Sequence, residues 1–182
     1  YYARWLFGVF KKVFLNAAAL TATSDKQAEK AIELFGLTRS PEVIRTGVDV
    51  DRIERITNDT FLPESLAGEK FIFSPRYISP LYSTLLQLDA IECLPQPIID
   101  SYLFVFIRGR KFDAAYLQKV TVRLNELQRQ RGLRFTIINY LSQDAIWTCF
   151  KYAALTINTP VSDGTPNSCL EAMAAGCPLI LP

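Results

Sequence analysis

Histidine is absent from the 182 residues. That excludes a Ser-His-Asp triad, a Cys-His dyad, a histidine general base and a His-ligated zinc within this chain. Chemistry here must rest on carboxylates, Arg and Lys, hydroxyls and backbone amides. An excess of one charge is lacking too. Lys+Arg number 20 against 18 Asp+Glu, a formal net charge of +2, so no nucleic-acid partner is expected. The four cysteines, Cys93, Cys149, Cys169 and Cys177, form no C-x-x-C pair. This disfavours zinc and dithiol redox chemistry and fits buried thiols in a reducing compartment. No apolar run approaches the ~20 residues of a membrane span. There is neither an initiator Met nor a signal-peptide layout. The chain starts at Tyr1 and stops at Pro182 directly after an apolar run, and the expectation is a fragment of a longer protein.

What is present is a globular composition, 49% hydrophobic and 21% charged. The length suits one sizeable core but not two complete α/β domains. Residues 1–15 read as an amphipathic helix with Trp5, Leu6, Phe10, Val13 and Phe14. Two readings stand for it: packing on a domain, or lying on a membrane surface with Arg4, Lys11 and Lys12 at the headgroups. A short strand near 20–23 precedes Ser24, which with Gln27 forms a capping box for a helix that Gly36 stops. A second short strand near Val43 and Ile44 leads into Gly47-Val48-Asp49. Residues 57–69, with Thr, Asn, Asp, Pro63 and Gly68, read as a linker or exposed connection.

From Lys70 onward the pattern is regular. Apolar runs of strand length lie near 71–74, 102–107, 134–139, 154–158 and 178–181, with helical segments near 81–94, 113–131, 143–151 and 166–175. In the second of these helices Asp113 is the cap, Leu117, Val120, Leu124 and Leu127 share a face, and Gly132 ends it. This alternation predicts right-handed β-α-β units and an α/β fold, a Rossmann-like parallel sheet with flanking helices. Ligands of such sheets bind beyond the carboxyl ends of the strands. The informative loops are therefore 75–80, 108–112, 139–142 and 159–165.

The last loop, TPVSDGT, opens into PNSCLEAMAA. Pro166 suits a first helical position, and the free N–H groups of Asn167 and Ser168 face the loop as an anion site. Gly164 permits close approach of backbone to a ligand. Asp163 and Glu171 could address two parts of one ligand, or be a turn Asp and a helical Glu on a solvated face. Leu170, Met173 and Ala174 beside Glu171 point to packing, which places Glu171 near the buried side. Arg76 in Ser74-Pro75-Arg76-Tyr77 suits a bidentate phosphate contact or an ordinary surface ion pair. Arg108-Gly109-Arg110-Lys111 gathers three cations about a glycine, fitting an anion or a solvated loop. Asn139, Tyr140 and Leu141 offer amides and an apolar patch for a planar base.

The run SDGTPNSCLEAMAAGCPLILP resembles the signature of retaining GT-B glycosyltransferases of the large GT4-type family: an acidic residue, seven residues, Glu, then A-M-A-x-G-x-P. ALTATSDKQAEK and VIRTGVDVDRI resemble the end of that family's N-terminal domain and its crossover, and SPRYISPLY the opening of its donor domain. The resemblance implies residues 1–56 as the tail of an acceptor domain with its crossover, 57–69 as a linker, and 70–182 as a truncated donor domain. By similarity Glu171 would bond the ribose hydroxyls and Asp163 the sugar hydroxyls. Gly164, Thr165, Pro166, Asn167 and Ser168 would line the sugar and diphosphate. Arg76 would neutralise the leaving diphosphate, and Tyr140 and Leu141 would border the base. The implied donor is a UDP-, GDP- or ADP-sugar, used without a metal or other cofactor. The acceptor, a glycan, lipid or other molecule, is not specified, and the implied location is cytoplasmic, with the membrane surface as a further option. The chain departs from the family pattern at Asp163, where Glu is usual, and at Leu81, where a phosphate-binding Lys is usual. Arg110 or Lys111 would have to supply the missing cation. A non-catalytic nucleotide-binding or interaction module of the same fold is the alternative. A nucleotide-sugar epimerase is disfavoured by the lack of histidine.

Overall fold

The computed structural model describes residues 2–110, 112–163 and 165–181. The chain forms two compact units. The smaller comprises Tyr1–Gly47 with Asp163–Pro166, and the larger Val48–Ser162 with Asn167–Pro182.

In the smaller unit, helices α1 (Tyr2–Asn16) and α2 (Asp25–Phe35) accompany two parallel strands, β1 (Thr21–Ala22) and β2 (Glu42–Val43). Phe35 of α2 stacks on Phe7 and Phe14 of α1 at ring-centroid distances of 5.5 and 4.4 Å. The Ser24 hydroxyl accepts from the Gln27 N–H, and Gln27 Oε1 accepts in return from the N–H and hydroxyl of Thr23, one residue before the expected partner. Gly36 ends α2 at φ +66°, a left-handed value that favours glycine. Leu6 and Phe14 are half-buried, while Trp5, Phe10 and Val13 are exposed. The Thr165 hydroxyl donates to the Thr23 carbonyl at 3.0 Å.

The larger unit begins with α3 (Val50–Glu54), capped by the Asp49 carboxylate. Then come β3 (Phe71–Tyr77), α4 (Thr84–Glu92), α5 (Gln96–Ser101), β4 (Leu103–Ile107), α6 (Ala114–Arg131) and β5 (Arg134–Ile138). The chain ends with α7 (Gln143–Tyr152), β6 (Leu155–Ile157), α8 (Asn167–Ala174) and β7 (Leu179–Ile180). The strands form one parallel sheet in the order β5-β4-β3-β6-β7, so the fold class read from the sequence is observed. Strand alternation divides the core between two faces. Phe71, Phe73, Leu103 and Val105 pack with Ile53, Trp147, Phe150 and Ala172 on one side. Ile72, Phe104 and Phe106 pack with Leu88, Ile91, Ile99, Val120 and Leu124 on the other. Each such fully buried side chain contributes roughly 1.5–3 kcal/mol.

Three local expectations are corrected. Residues 57–69 are not simply an exposed connection: Leu66 is fully buried, and Leu62 packs on the same core. Arg76 lies inside β3 and not in the loop after it. The β3–β4 register shifts between Ser74 and Tyr77, where Pro75 cannot donate to the ladder. The helix expected over 81–94 starts only at Thr84, after a single 3-10 turn Pro80–Tyr82 and Ser83 at φ +49°. Ser83 is the one non-glycine with positive φ among the described residues.

Candidate functional site

Because the five strands run parallel, their carboxyl ends share an edge, and the order reverses between β3 and β6. That reversal opens the crevice where doubly wound sheets take ligands. The loop after β3 and the loop after β6 are tied together there. Val161 N–H donates to the Leu81 carbonyl at 2.8 Å, the Thr159 hydroxyl to the Tyr82 carbonyl at 3.1 Å, and Gln87 Nε2 to Thr159 Oγ1 at 2.9 Å.

Arg76 reaches this edge from β3. Its guanidinium lies 4.2 Å from the Tyr82 ring centroid and donates to the phenol oxygen. Tyr82 is buried and meets the Tyr77 ring edge-on at 4.9 Å. Burial raises the phenol pKa against the opposing pull of Arg76, so Tyr82 stays neutral and serves as a fixed platform.

Glu171, on α8 after β6, faces the same region. Its carboxylate is half-buried, as Leu170 and Met173 had suggested, although Met173 itself is exposed. Burial raises its pKa above the ordinary value. The nearby Trp147 indole, the Gln143 amide and the positive charge of Arg76 oppose that rise. Gln143 Nε2 donates to Glu171 Oε1 at 2.9 Å. The buried Trp147 N–H approaches the carboxylate without reaching hydrogen-bond geometry. Arg76, 95 positions away in sequence, thus lies close enough for its charge to be felt at the Glu171 carboxylate.

Buried polar atoms without a hydrogen-bond partner collect near this edge. They include Ser79 Oγ, Gln87 Oε1, Asn158 Oδ1 and Ser168 Oγ. Asn158 is fully buried, and its amide donates to Cys169 Sγ at 2.7 Å. Orphaned buried groups are rare in folded proteins, and a cluster of them marks a place where a ligand or water completes the bonding. Helix α8 starts at Asn167, so Pro166 immediately precedes it and Asn167 and Ser168 form its first turn. Asp163, Thr165 and Pro166 belong to the smaller unit, and Asp163 is exposed. Gly164 and Lys111 lie outside the described residues.

The outer part of the edge is built differently. Arg108 and Gly109 continue the β4–β5 pairing through bonds to the Ile138 and Asn139 carbonyls, at 2.8 and 3.1 Å. The Arg110 guanidinium then stacks 4.0 Å from the exposed Tyr140 ring, and Arg108 lies 4.9 Å from the Phe112 ring. Leu141 is buried in the core, so it supports this loop from below and leaves Tyr140 as the exposed surface.

Sequence reasoning missed Tyr82, Gln143 and Trp147. Gln143 and Trp147 are spaced i, i+4, which puts them on one helix face, but nothing in the sequence says what that face meets. The thiols Cys149, Cys169 and Cys177 are buried, as expected, whereas Cys93 is exposed. Burial pushes the Cys149 thiol up to about 12, which leaves it unreactive. Among the described residues no group of His, Cys, Asp and Glu could hold a metal ion, and no helix is long and apolar enough to cross a membrane. A groove of about 580 Å³ lies between α4 and α6. Lys119, Arg123, Asp89 and Glu126 give its lining both signs of charge, so it has no strong preference for an anion.

No family model matches the chain, and no curated protein matches it. Solved structures do. Trehalose-6-phosphate synthase OtsA matches with a TM-score of 0.76 at 16% identity, over 95% of this chain and 46% of that one. HepE from Anabaena, in complex with UDP and glucose, matches with a TM-score of 0.74 at 16% identity, over 96% and 47%. The N-terminal domain of trehalose-6-phosphate phosphatase from Candida albicans matches with a TM-score of 0.75 at 16% identity, over 91% and 44%. This chain therefore spans less than half the length of each. What it shares with them is the fold, a GT-B-type, Rossmann-like parallel sheet flanked by helices.

Proposed function

We propose that the carboxyl edge of the sheet binds a nucleotide-diphosphate sugar, and that the chain is part of a glycosyltransferase acting with retention on an unspecified acceptor. The observation that carries this reading is the opposition of Arg76 and Glu171 at the β3/β6 switch point. A diphosphate needs a fixed cation, and ribose hydroxyls need a carboxylate acceptor. These two groups supply both within one crevice. HepE has also been solved with UDP-glucose, which makes that sugar nucleotide the first donor to try.

In this reading Arg76 stabilises the negative charge that develops on the departing diphosphate as the glycosidic bond breaks. Its guanidinium is already oriented by Tyr82, so little reorganisation is required. Glu171 accepts from the ribose hydroxyls. The Asn167 and Ser168 amides, at the positive end of α8, face the sugar and diphosphate. For residues 163–166, which precede α8 in the chain, the sugar-end role rests on the family resemblance alone, with Asp163 assigned to the oxocarbenium-like sugar. Tyr140 and Arg110 form the border for the base. No metal is assigned a role. Residues 1–56 are the tail of the acceptor side with the crossover, whose segment from Val48 packs with the larger unit, and 70–182 are the donor side.

A second reading, a nucleotide-binding module without catalysis, is favoured by one observation. Leu81 stands exposed in the Pro80–Tyr82 turn, where a second phosphate cation would be expected. Titration calorimetry with UDP-, GDP- and ADP-glucose, followed by an assay for nucleotide release, separates the readings. Binding with release supports the transferase, and binding without release in any longer form of the protein supports the module. No binding to any of the three removes both.

A further inference from the structure

We propose that Arg52 is a positioning residue for Glu171, holding the first turn of α7 so that Gln143 and Trp147 are presented to that carboxylate. Its effect on donor binding rests on the reading above; its effect on Glu171 does not.

One terminal nitrogen of Arg52, on α3, donates to both carboxylate oxygens of Asp144, at 2.9 and 3.0 Å. The same guanidinium lies 5.2 Å from the centroid of the Trp147 ring. Arg52 therefore grips α7 at its first turn and again one turn on. Gln143, immediately before Asp144, donates to Glu171, and Trp147 lies one turn further along the same face. The indole N–H of Trp147 is buried and has no partner of good geometry, so its direction is set by the packing around the ring and not by a bond of its own. Arg52 is one wall of that packing, and Ile53 beside it is buried in the core that also holds Trp147 and Ala172 of α8. Arg52 is 55% exposed, and an ion pair so open to water adds little to stability by itself. Its location gives it a different use.

The other end of α7 supplies an internal control. Lys151 Nζ donates to the Glu54 and Ile56 carbonyls at 3.2 and 2.6 Å. It too ties α7 to α3, but it is two turns from Gln143, one turn from Trp147, and at the end of α7 remote from Asp144. A role confined to fastening the two helices would make Arg52 and Lys151 equivalent. A positioning role makes them differ.

The test reads Glu171 directly by carboxyl-carbon NMR titration of the ligand-free 182-residue chain. The groups facing this carboxylate are Arg76, Gln143 and Trp147. Arg52→Ala is expected to shift its midpoint further upward, because the Gln143 amide no longer bonds the charge and the Trp147 indole no longer lies against it. Arg52→Lys, which keeps the charge but not the planar group, recovers only part. Lys151→Ala leaves the midpoint in place, even where the melting temperature falls. An unmoved midpoint in Arg52→Ala, or an equal shift in Lys151→Ala, overturns the proposal. Should Arg52→Ala fail to fold, Arg52→Lys and Asp144→Asn carry the same test, and no shift in either overturns it. UDP-glucose affinity should fall on the order of tenfold in Arg52→Ala and stay unchanged in Lys151→Ala. If the wild-type chain does not bind UDP-glucose, the functional reading fails, while the NMR titration still decides the role of Arg52.

Discussion

The carboxyl edge of the sheet has two halves that are held by different forces. At the β3/β6 end, Arg76 is bound and stacked by Tyr82, and Glu171 is bonded by Gln143. The loops there are laced together through Thr159 and Val161. At the β4/β5 end, Arg110 rests on the exposed Tyr140 through a stacking contact. The first half is preorganised for charge, where a misplaced group is costly. The second is an open surface where a planar group can slide between the arginine and the ring or replace one of them. Under the proposed function, affinity for a diphosphate resides at the switch point, while base preference is set loosely at the outer end.

The largest effect is expected from Arg76→Ala. Losing a charge-assisted, oriented cation should weaken UDP-glucose binding by roughly 1.5–3 kcal/mol, measured by calorimetric titration. Glu171→Ala comes next, at about 1–3 kcal/mol, with Glu171→Gln losing less because it keeps one acceptor. Glu126→Ala, in the α4–α6 groove, should lose nothing. At the outer end, Tyr140→Ala should cost only about 0.5–1 kcal/mol, the usual strength of an exposed cation–π or stacking contact. An outer-end variant that outweighed Arg76→Ala would invert the comparison.

The pH dependence follows from the raised pKa of Glu171. The folded protein holds the Glu171 proton more tightly than the unfolded chain does. Its contribution to stability is therefore favourable at low pH and is lost as pH rises from the ordinary carboxylate value through the raised one. Thermal melts of Glu171→Gln should exceed wild type at neutral pH, with the advantage vanishing in acid. Donor binding should run the other way, weakening as pH falls through the raised value, because a protonated Glu171 accepts fewer hydrogen bonds.

Much of this arrangement was legible in the sequence. The apolar runs from Phe71 onward, the Asp113 cap and the Gly132 stop specify the sheet and α6 through local physics alone. Short elements escaped. Helix α3 has five residues, too few for a periodic pattern, and α5 has six, with Pro95 and Pro97 at its start. The strand position of Arg76 was not legible: the apolar run ends near Ser74, and β3 continues past Pro75 only through a register shift. The partners of the site are long-range: Gln143 and Glu171 are 28 positions apart and Arg52 and Asp144 are 92 apart. No local pattern encodes such pairings.

The smallest effect concerns the turn that carries Tyr82. Ser83 holds a left-handed conformation that costs a non-glycine residue about 1 kcal/mol or more. Ser83→Gly should raise the melting temperature slightly and leave Arg76 in place, because the turn keeps its shape.

The central claim is that a sugar nucleotide occupies the switch-point half of the carboxyl edge. Backbone amide NMR of the chain, titrated with UDP-glucose, tests it most directly. Shifts are expected to concentrate at residues 76–83, 158–160 and 167–171, with weaker changes at 108–110 and 139–140. Saturable shifts confined to the amino ends of the strands or to the α4–α6 groove would contradict it, as would a spectrum unchanged at millimolar ligand.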